Sequence, residues 1–343
     1  MKTIFVVDDN SSNLVAAQQA LEGSYKTLTI PSAEKMFKLL EKIVPDLILL
    51  DIEMPEMNGF TALEKLKSFD KYKRIPVIFL TANFDAEVEV KGFELGAIDY
   101  INKPFSAPVL LKRLETHLEL DTLVKKRTAE VEALRNGIIS VLAEVIEERD
   151  KVTGGHIRRT QKYLEILLNA LKERGVYSEQ TNGWDLSLLL PSAQLHDIGK
   201  IIVSDVILNK PGKLTDEEFA VIQVHPAEGE RLIDKIAHEI GESNDAFLRH
   251  SKLFAGTHHE KWNGKGYPRA LCAEDIPLEG RVMAIVDVYD ALTSERPYKK
   301  AFSHEEAINI IKKDSGAAFD PKLVEVFLEV AEDFWVNTML GEK

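Results

Sequence analysis

Ile4-Phe5-Val6-Val7-Asp8-Asp9 and Asp46-Leu47-Ile48-Leu49-Leu50-Asp51 each set a short apolar run directly before a carboxylate. The runs at 4–7, 25–30, 46–50, 76–80 and 97–101 read as strands. Between them, 12–44, 59–68 and 85–95 contain stretches with helix-like apolar spacing, the first opened by Ser11 and Ser12 as N-cap candidates. Five strands alternating with helices predict an α/β fold, a doubly wound five-stranded parallel sheet. The working crevice of such a sheet lies beyond the carboxyl ends of its strands. Asp8 and Asp9 follow strand 1, Asp51 follows strand 3, Thr81 follows strand 4 and Lys103 follows strand 5. Three carboxylates in one crevice repel one another unless a cation is present, which points to Mg²⁺. A carboxylate beside a cation can attack a phosphoryl group, and a hydroxyl and an ammonium can hold the added oxygens.

The composition is that of a globular protein: of 343 residues 45% are hydrophobic and 29% charged, which excludes collagen-like and disordered classes. The length suggests two domains. A formal net charge of -13 argues against a DNA-binding protein, because an acidic surface repels phosphates. A single cysteine, Cys272, fits a reducing compartment. The first apolar run is too short for a signal peptide, and no apolar stretch has the length of a membrane span, so the expectation is a soluble, cytoplasmic chain without membrane contact.

From 106 to 150 one long helix is expected. Leu110, Val124, Val131, Ile138 and Val145 fall on a seven-residue repeat interrupted by His117, whereas the companion row Leu114, Asp121, Thr128, Arg135 and Leu142 is more than half polar. A weak coiled coil and a lone solvated helix fit this pattern equally well. Gly137 within it costs about 1 kcal/mol relative to Ala. Beyond 150 only helical periodicity appears, so the second domain is expected to be all-α, with Thr215 and Glu218 spaced as a capping box.

Eight of the nine histidines lie after residue 150. His117, His238, His250 and His304 read as structural or surface residues. His156, the adjacent pair His196-Asp197, His225, the pair His258-His259 and Asp287 read as candidate ligands. Imidazoles and carboxylates without thiolates suit Fe, Mn, Co, Ni or Zn in a non-structural site. Neighbours on a helix point about 100° apart, so His258 and His259 reach one ion only where a helix ends.

Over residues 1–120 the sequence resembles the receiver domain of bacterial two-component response regulators. The match lies at Phe5-Val6-Val7-Asp8-Asp9, at Leu49-Leu50-Asp51 through Asn58-Gly59, at Leu80-Thr81-Ala82 and at Asp99-Tyr100-Ile101-Asn102-Lys103-Pro104-Phe105. The resemblance implies that Asp51 accepts a phosphoryl group from a histidine kinase. It places Asp8, Asp9 and Asp51 around Mg²⁺, and Thr81 and Lys103 on the phosphoryl group. Tyr100 is then the aromatic that repositions on activation, and the Lys103–Pro104 bond is cis.

Residues 136–343 resemble an HD-GYP domain, a group associated with hydrolysis of cyclic di-GMP. The match lies at His196-Asp197-Ile198-Gly199-Lys200, at His258-His259-Glu260 through Gly264-Lys265-Gly266-Tyr267-Pro268, and from Asp287 through Arg296-Pro297-Tyr298-Lys299. The implied layout is a receiver at 1–120, a helical linker at 121–135 and an all-α HD-type domain at 136–343. One ion is then held by His156, His196, Asp197 and Asp287, and a second by His225, His258 and His259, with Asp197 bridging. Two transition-metal ions, Fe or Mn, are expected. Some members add a Glu four residues before the first ligand histidine to build a third position; Val152 stands there in this chain. Asp197 and Lys200 are the implied catalytic residues, and Asp150, Lys200, Tyr267, Arg296 and Lys299 the substrate contacts. The expected activity is hydrolysis of cyclic di-GMP to pGpG, or on to GMP, under control of phosphorylation. The alternatives are hydrolysis of a mixed cyclic GMP–AMP dinucleotide and a catalytically silent cyclic di-GMP scaffold. Expected partners are cyclic di-GMP, a cognate histidine kinase, diguanylate cyclase proteins and a second copy of the chain paired through the linker helix.

Overall fold

The computed structural model describes residues 1–82, 86–149, 155–241, 245–295 and 300–341, and the chain divides into two compact units, Met1–Val131 and Glu132–Lys343. The first unit holds strands β1 (Thr3–Val7), β2 (Lys26–Ile30), β3 (Leu47–Asp51), β4 (Val77–Thr81) and β5 (Asp99–Asn102). Helices α1 (Ser11–Leu21), α2 (Ala33–Leu40), α3 (Gly59–Ser68) and α4 (Ala86–Glu94) connect them. All pairings are parallel and the strand order is β2-β1-β3-β4-β5. β3 and β4 are buried at every residue, as expected of strands covered on both faces. Their alternate residues feed two cores, Phe5, Val7, Ile48 and Leu50 on one face and Ile4, Val6, Leu47 and Leu49 on the other. The order reverses between β1 and β3, and the crevice opens at that switch point, where Asp8, Asp9 and Asp51 emerge.

Helix α5 (Ala107–Arg149) runs for 43 residues. Its beginning belongs to the first core: Leu110, Leu114 and Leu118 are buried there. Leu110 is therefore no part of an inter-helix seam, a correction to the repeat as read from sequence. The companion row also lies one residue away from its expected place. The exposed apolar residues that accompany Val124, Val131, Ile138 and Val145 are Leu120, Leu134 and Val141, in the row three rather than four residues along, which also carries Arg127 and Glu148. Apolar positions alternating by three and four are what a two-helix seam requires.

The second unit is helical among its described residues. It comprises α6 (His156–Arg174), α7 (Ser178–Thr181), α8 (Leu186–Ala193), α9 (Asp205–Leu208), α10 (Asp216–Ile222), α11 (His225–Ile240), α12 (Ala246–Thr257), α13 (Leu278–Thr293), α14 (His304–Lys313) and α15 (Pro321–Gly341). Thr215 and Glu218 form the expected capping box at α10. The core joins α6, α8, α13, α14 and α15 around an aromatic group in which Tyr163 stacks on Phe334 at 4.7 Å and meets Tyr289 edge-on at 5.3 Å. No helix among the described residues is long and apolar enough to cross a membrane.

A close backbone contact seats the segment around Asp197 against α11. A 3-10 turn, Ile198–Ile202, packs on the start of that helix so closely that a Cβ on Gly199 would lie 1.9 Å from the His225 carbonyl oxygen and 2.6 Å from Gly229 N. Only glycine permits that approach, and it brings the residues before the turn beside the first residue of α11. Gly137, by contrast, would meet nothing within 4 Å. Gly199→Ala is therefore expected to destabilise the second unit by about 1–3 kcal/mol, and Gly137→Ala to stabilise it by about 1 kcal/mol. Urea denaturation followed by tryptophan fluorescence checks both signs, since Trp184, Trp262 and Trp335 all lie in that unit.

Candidate functional site

In the first unit Asp8, Asp51 and Thr81 are buried and Asp9 is exposed, and oxygens of Asp8, Asp9 and Asp51 lie within 4.8 Å of one another. Lys103 bridges two of them, its Nζ 2.8 Å from Asp8 Oδ2 and 2.7 Å from Asp51 Oδ1. Asp8 is further held by the Asn10 N–H and the Asn13 amide. Burial raises the Asp51 carboxyl above its ordinary range, with Lys103 opposing the rise and Asp8 adding to it. Burial works to lower the Lys103 ammonium, but the two carboxylates outweigh it and the net shift is upward. The Tyr100 ring is turned inward: its hydroxyl donates to the Val88 carbonyl at 3.2 Å and lies where a Cβ on Gly92 would stand. Burial, with Glu89 nearby, pushes that phenol up to about 12. The Lys103–Pro104 bond is cis.

In the second unit the candidate ligands gather at helix ends. The last carbonyls of a helix lack intrahelical donors, and three histidines supply them. His196 Nδ1 lies 2.9 Å from the Ala193 oxygen at the end of α8. His225 Nδ1 lies 2.8 Å from the Ile222 oxygen at the end of α10. His258 Nδ1 lies 2.9 Å from the Phe254 oxygen in the last turn of α12. A fourth, His156 at the start of α6, places Nδ1 2.8 Å from Asp290 Oδ2. With each Nδ1–H committed, each Nε2 carries its lone pair inward. α12 ends at Thr257, leaving His258 as its cap and His259 beyond it, so the pair escapes the 100° divergence of helical neighbours.

These lone pairs converge on Asp197. His225 Nε2 lies 3.3 Å and His258 Nε2 3.7 Å from its Oδ1, and His196 Nε2 lies 3.4 Å from its Oδ2. Nitrogens and carboxylate oxygens of Asp197, His225, His258 and His259 form one group within 4.8 Å, and those of His156, His196 and Asp197 a second, with Asp197 common to both. Asp287 stands beside the second group, its Oδ1 3.7 Å from His156 Nε2. Two features fit a cation there. His196 Nε2 and Asp197 Oδ1 are buried without a hydrogen-bond partner among the described residues. His225 Nε2 and His258 Nε2 face each other at 3.3 Å, a contact of two lone pairs.

Lys200 Nζ lies 2.8 Å from Asp197 Oδ2. Burial works to raise the Asp197 carboxyl, but Lys200 and His196 hold it well below the ordinary range. Burial, with His258 and His225 adding to it, keeps the His259 imidazole neutral well below its usual value. The group opens into a cavity of about 300 Å³ lined by Asp197, Lys200, His259, Tyr267, Asp287 and Glu147, among others. The Tyr267 ring lies over His259 at 4.7 Å. Its loop is pinned by the buried Glu260 carboxylate, which accepts from the Arg269 and Leu271 N–H groups at 2.8 and 3.0 Å. Asp150, Val152, Arg296 and Lys299 lie outside the described residues.

Two further residues shape the site. Asp290 receives His156 and, at 2.6 and 2.9 Å, two nitrogens of Arg159. Its spacing of three residues from Asp287 on α13 was the available signal. Glu147 accepts from the His156 N–H at 2.9 Å. Three of the four histidines read as structural or surface residues are occupied elsewhere: His250 with Glu279, His304 with Tyr289 and His117 with Asp99.

The chain matches the response regulator receiver domain family over residues 4–115 and the HD domain family over residues 140–323. It is 39% identical over 346 residues to a Vibrio cholerae protein named "Probable cyclic di-GMP phosphodiesterase", covering 97% of this chain and 78% of that one. It is 32% identical over 353 residues to a Thermotoga maritima cyclic di-GMP phosphodiesterase, covering 96% and 91%. It is 36% identical over 193 residues to the Vibrio cholerae 3'3'-cGAMP-specific phosphodiesterase 2, covering 56% and 34%. With a receiver followed by an HD domain on one chain, and relatives that match it over nearly its whole length, the protein belongs to the HD-domain response regulators.

Proposed function

We propose that the protein hydrolyses cyclic di-GMP in its second unit and that phosphorylation of Asp51 controls this activity. The observation that carries the reading is the shared carboxylate: Asp197 belongs to two groups of inward-facing imidazoles at one end of a cavity. His156, His196, Asp197 and Asp287 would hold one divalent ion, and His225, His258 and His259 a second, with Asp197 bridging. A donor set of nitrogens and carboxylate oxygens without thiolate suits Fe or Mn. Such a pair of ions, when bound, supplies an activated water and offsets the charge that builds on phosphorus.

The chain's own groups do the rest. Lys200, set beside Asp197, places its ammonium where a bridging phosphate or the departing ribose oxygen comes to lie. Tyr267 walls the cavity over His259 and orients the nucleotide, with Asp150, Arg296 and Lys299 as the further substrate contacts. The first cut opens the ring to pGpG, and a second gives GMP. In the first unit Asp51 is the phosphoacceptor, with Mg²⁺ held by Asp8, Asp9 and Asp51 and the added oxygens held by Thr81 and Lys103. A histidine kinase is the donor.

Control runs through α5. Its exposed row of Leu120, Val124, Val131, Leu134, Ile138, Val141 and Val145 suits pairing with a second copy of the chain. A phosphoryl group shifts activity only by favouring one packing of that seam over another. The relatives named for cyclic di-GMP share the whole receiver and HD arrangement, and the relative named for 3'3'-cGAMP makes the mixed dinucleotide the alternative substrate.

Incubation of Mn²⁺- or Fe²⁺-loaded protein with each dinucleotide, followed by product chromatography, tests the substrate. Faster turnover of the mixed dinucleotide would reverse the preference, and binding without turnover would leave a scaffold. Asp197→Ala is expected to abolish hydrolysis while Asp51 still takes a phosphoryl group; near-wild-type turnover with unchanged metal content refutes the assignment. Beryllofluoride is expected to change both the rate and the mass measured by light scattering, and Asp51→Asn to block both changes. If neither quantity moves, α5 is a passive tether.

A further inference from the structure

Two side chains in the last turn of α5, Glu147 and Arg149, make polar contacts to the two segments that carry the candidate metal ligands, beside the apolar packing of Ile146 on Leu195 and Ile198. α6 opens at His156 after Gly155, which has φ 95° and offers no side-chain cap. The cap comes from another helix. Glu147, only 9% exposed, accepts from the His156 N–H at 2.9 Å through Oε1 and approaches the Ile157 N–H at 3.4 Å through Oε2. A carboxylate at a helix N-terminus satisfies orphan donors and meets the positive end of the helix dipole. Two residues later, Arg149 donates to the carbonyls of Ile201 and Val203 at 2.9 and 3.0 Å and to Asp205 Oδ1 at 2.8 Å. Those carbonyls end the 3-10 turn that begins directly after Asp197 and contains Lys200.

We propose that Glu147 is a positioning residue for His156. The His156 ring is fixed from both ends: Asp290 sets its rotation through Nδ1, and Glu147 sets its height by anchoring the backbone that carries it. Arg149 does the corresponding work for the segment bearing Asp197 and Lys200. The metal site is thus framed by the same helical turn on both sides, which holds the His156 segment in register with the segment bearing Asp197. Glu147 touches no reacting atom in this role. Its effect on hydrolysis passes through the ligand it seats. The inference rests on the metal reading above, and its test separates the two.

Full-length protein is titrated with Mn²⁺ alone, and bound ion is followed by electron paramagnetic resonance. Wild type is expected to show about two tight sites in the second unit, with Asp51→Asn in the background to remove the receiver's contribution. Glu147→Ala is expected to weaken one of the two by about 10–100-fold and to lower kcat with little change in KM. Glu147→Gln keeps an amide oxygen that accepts from the His156 N–H, so both sites are expected to persist. Two intact sites in Glu147→Ala overturn the proposal. Loss in Glu147→Gln as deep as in Glu147→Ala also overturns it, because the charge itself would then be the ligand. Should Glu147→Ala not fold, Glu147→Asp, one methylene shorter, withdraws the carboxylate and replaces it in the same titration. Wild type that binds no Mn²⁺ removes the metal reading and this inference together.

Discussion

Three helix ends each hand a carbonyl to a histidine, and that exchange decides what the second unit can do. Once Ala193, Ile222 and Phe254 have taken the Nδ1 protons of His196, His225 and His258, the opposite nitrogens have only lone pairs to offer. Lone pairs gathered in a buried place repel, and Asp197 adds negative charge to them. The arrangement is uphill as an isolated cluster and becomes favourable around cations. Much of the surrounding architecture serves it: α12 stops at Thr257 to release the adjacent pair, Gly199 lets the Asp197 segment lie against α11, and Asp290 orients the fourth imidazole.

The receiver crevice meets the same electrostatic problem with an internal solution. Asp8 and Asp51 are buried side by side, and Lys103 lies within 2.8 Å of both, so part of the compensating charge is built into the chain. That difference follows from the folds. A parallel sheet delivers side chains from successive strands to one edge, where a lysine just past β5 can reach back across the crevice. A helical unit brings its polar groups together at helix termini instead, where backbone carbonyls are in surplus and imidazoles are the fitting partners.

Legibility in the sequence followed the range of the contacts. Asp8, Asp51, Thr81 and Lys103 were readable because strand ends in an alternating pattern must share an edge, and all five strands fall within a residue or two of their expected places. The candidate ligand histidines stood out by number and by resemblance, but whether His258 and His259 could converge depended on where α12 stops, which periodicity does not reveal. The exposed apolar stripe of α5 was legible only in half: Val124, Val131, Ile138 and Val145 are exposed, but the accompanying row lies three residues along rather than four, and Leu110 belongs to the sheet's core. Asp290 meets His156 across 134 residues, and Glu147 caps a helix to which it does not belong. The one local hint was the three-residue spacing of Asp290 from Asp287; the partners themselves are set by tertiary packing.

Arg127 interrupts the exposed apolar row of α5 between Leu120 and Val141 and bonds to Glu130 on its own helix at 2.8 Å. A charge in a hydrophobic seam subtracts from pairing strength while rejecting registers that would bury it away from an acid. Were two copies to pair along α5, that charge would shorten the contact's lifetime and narrow its choice of mate. A helix so marked tells an identical copy from the similar helices of other receiver-bearing chains only where an acid stands opposite Arg127.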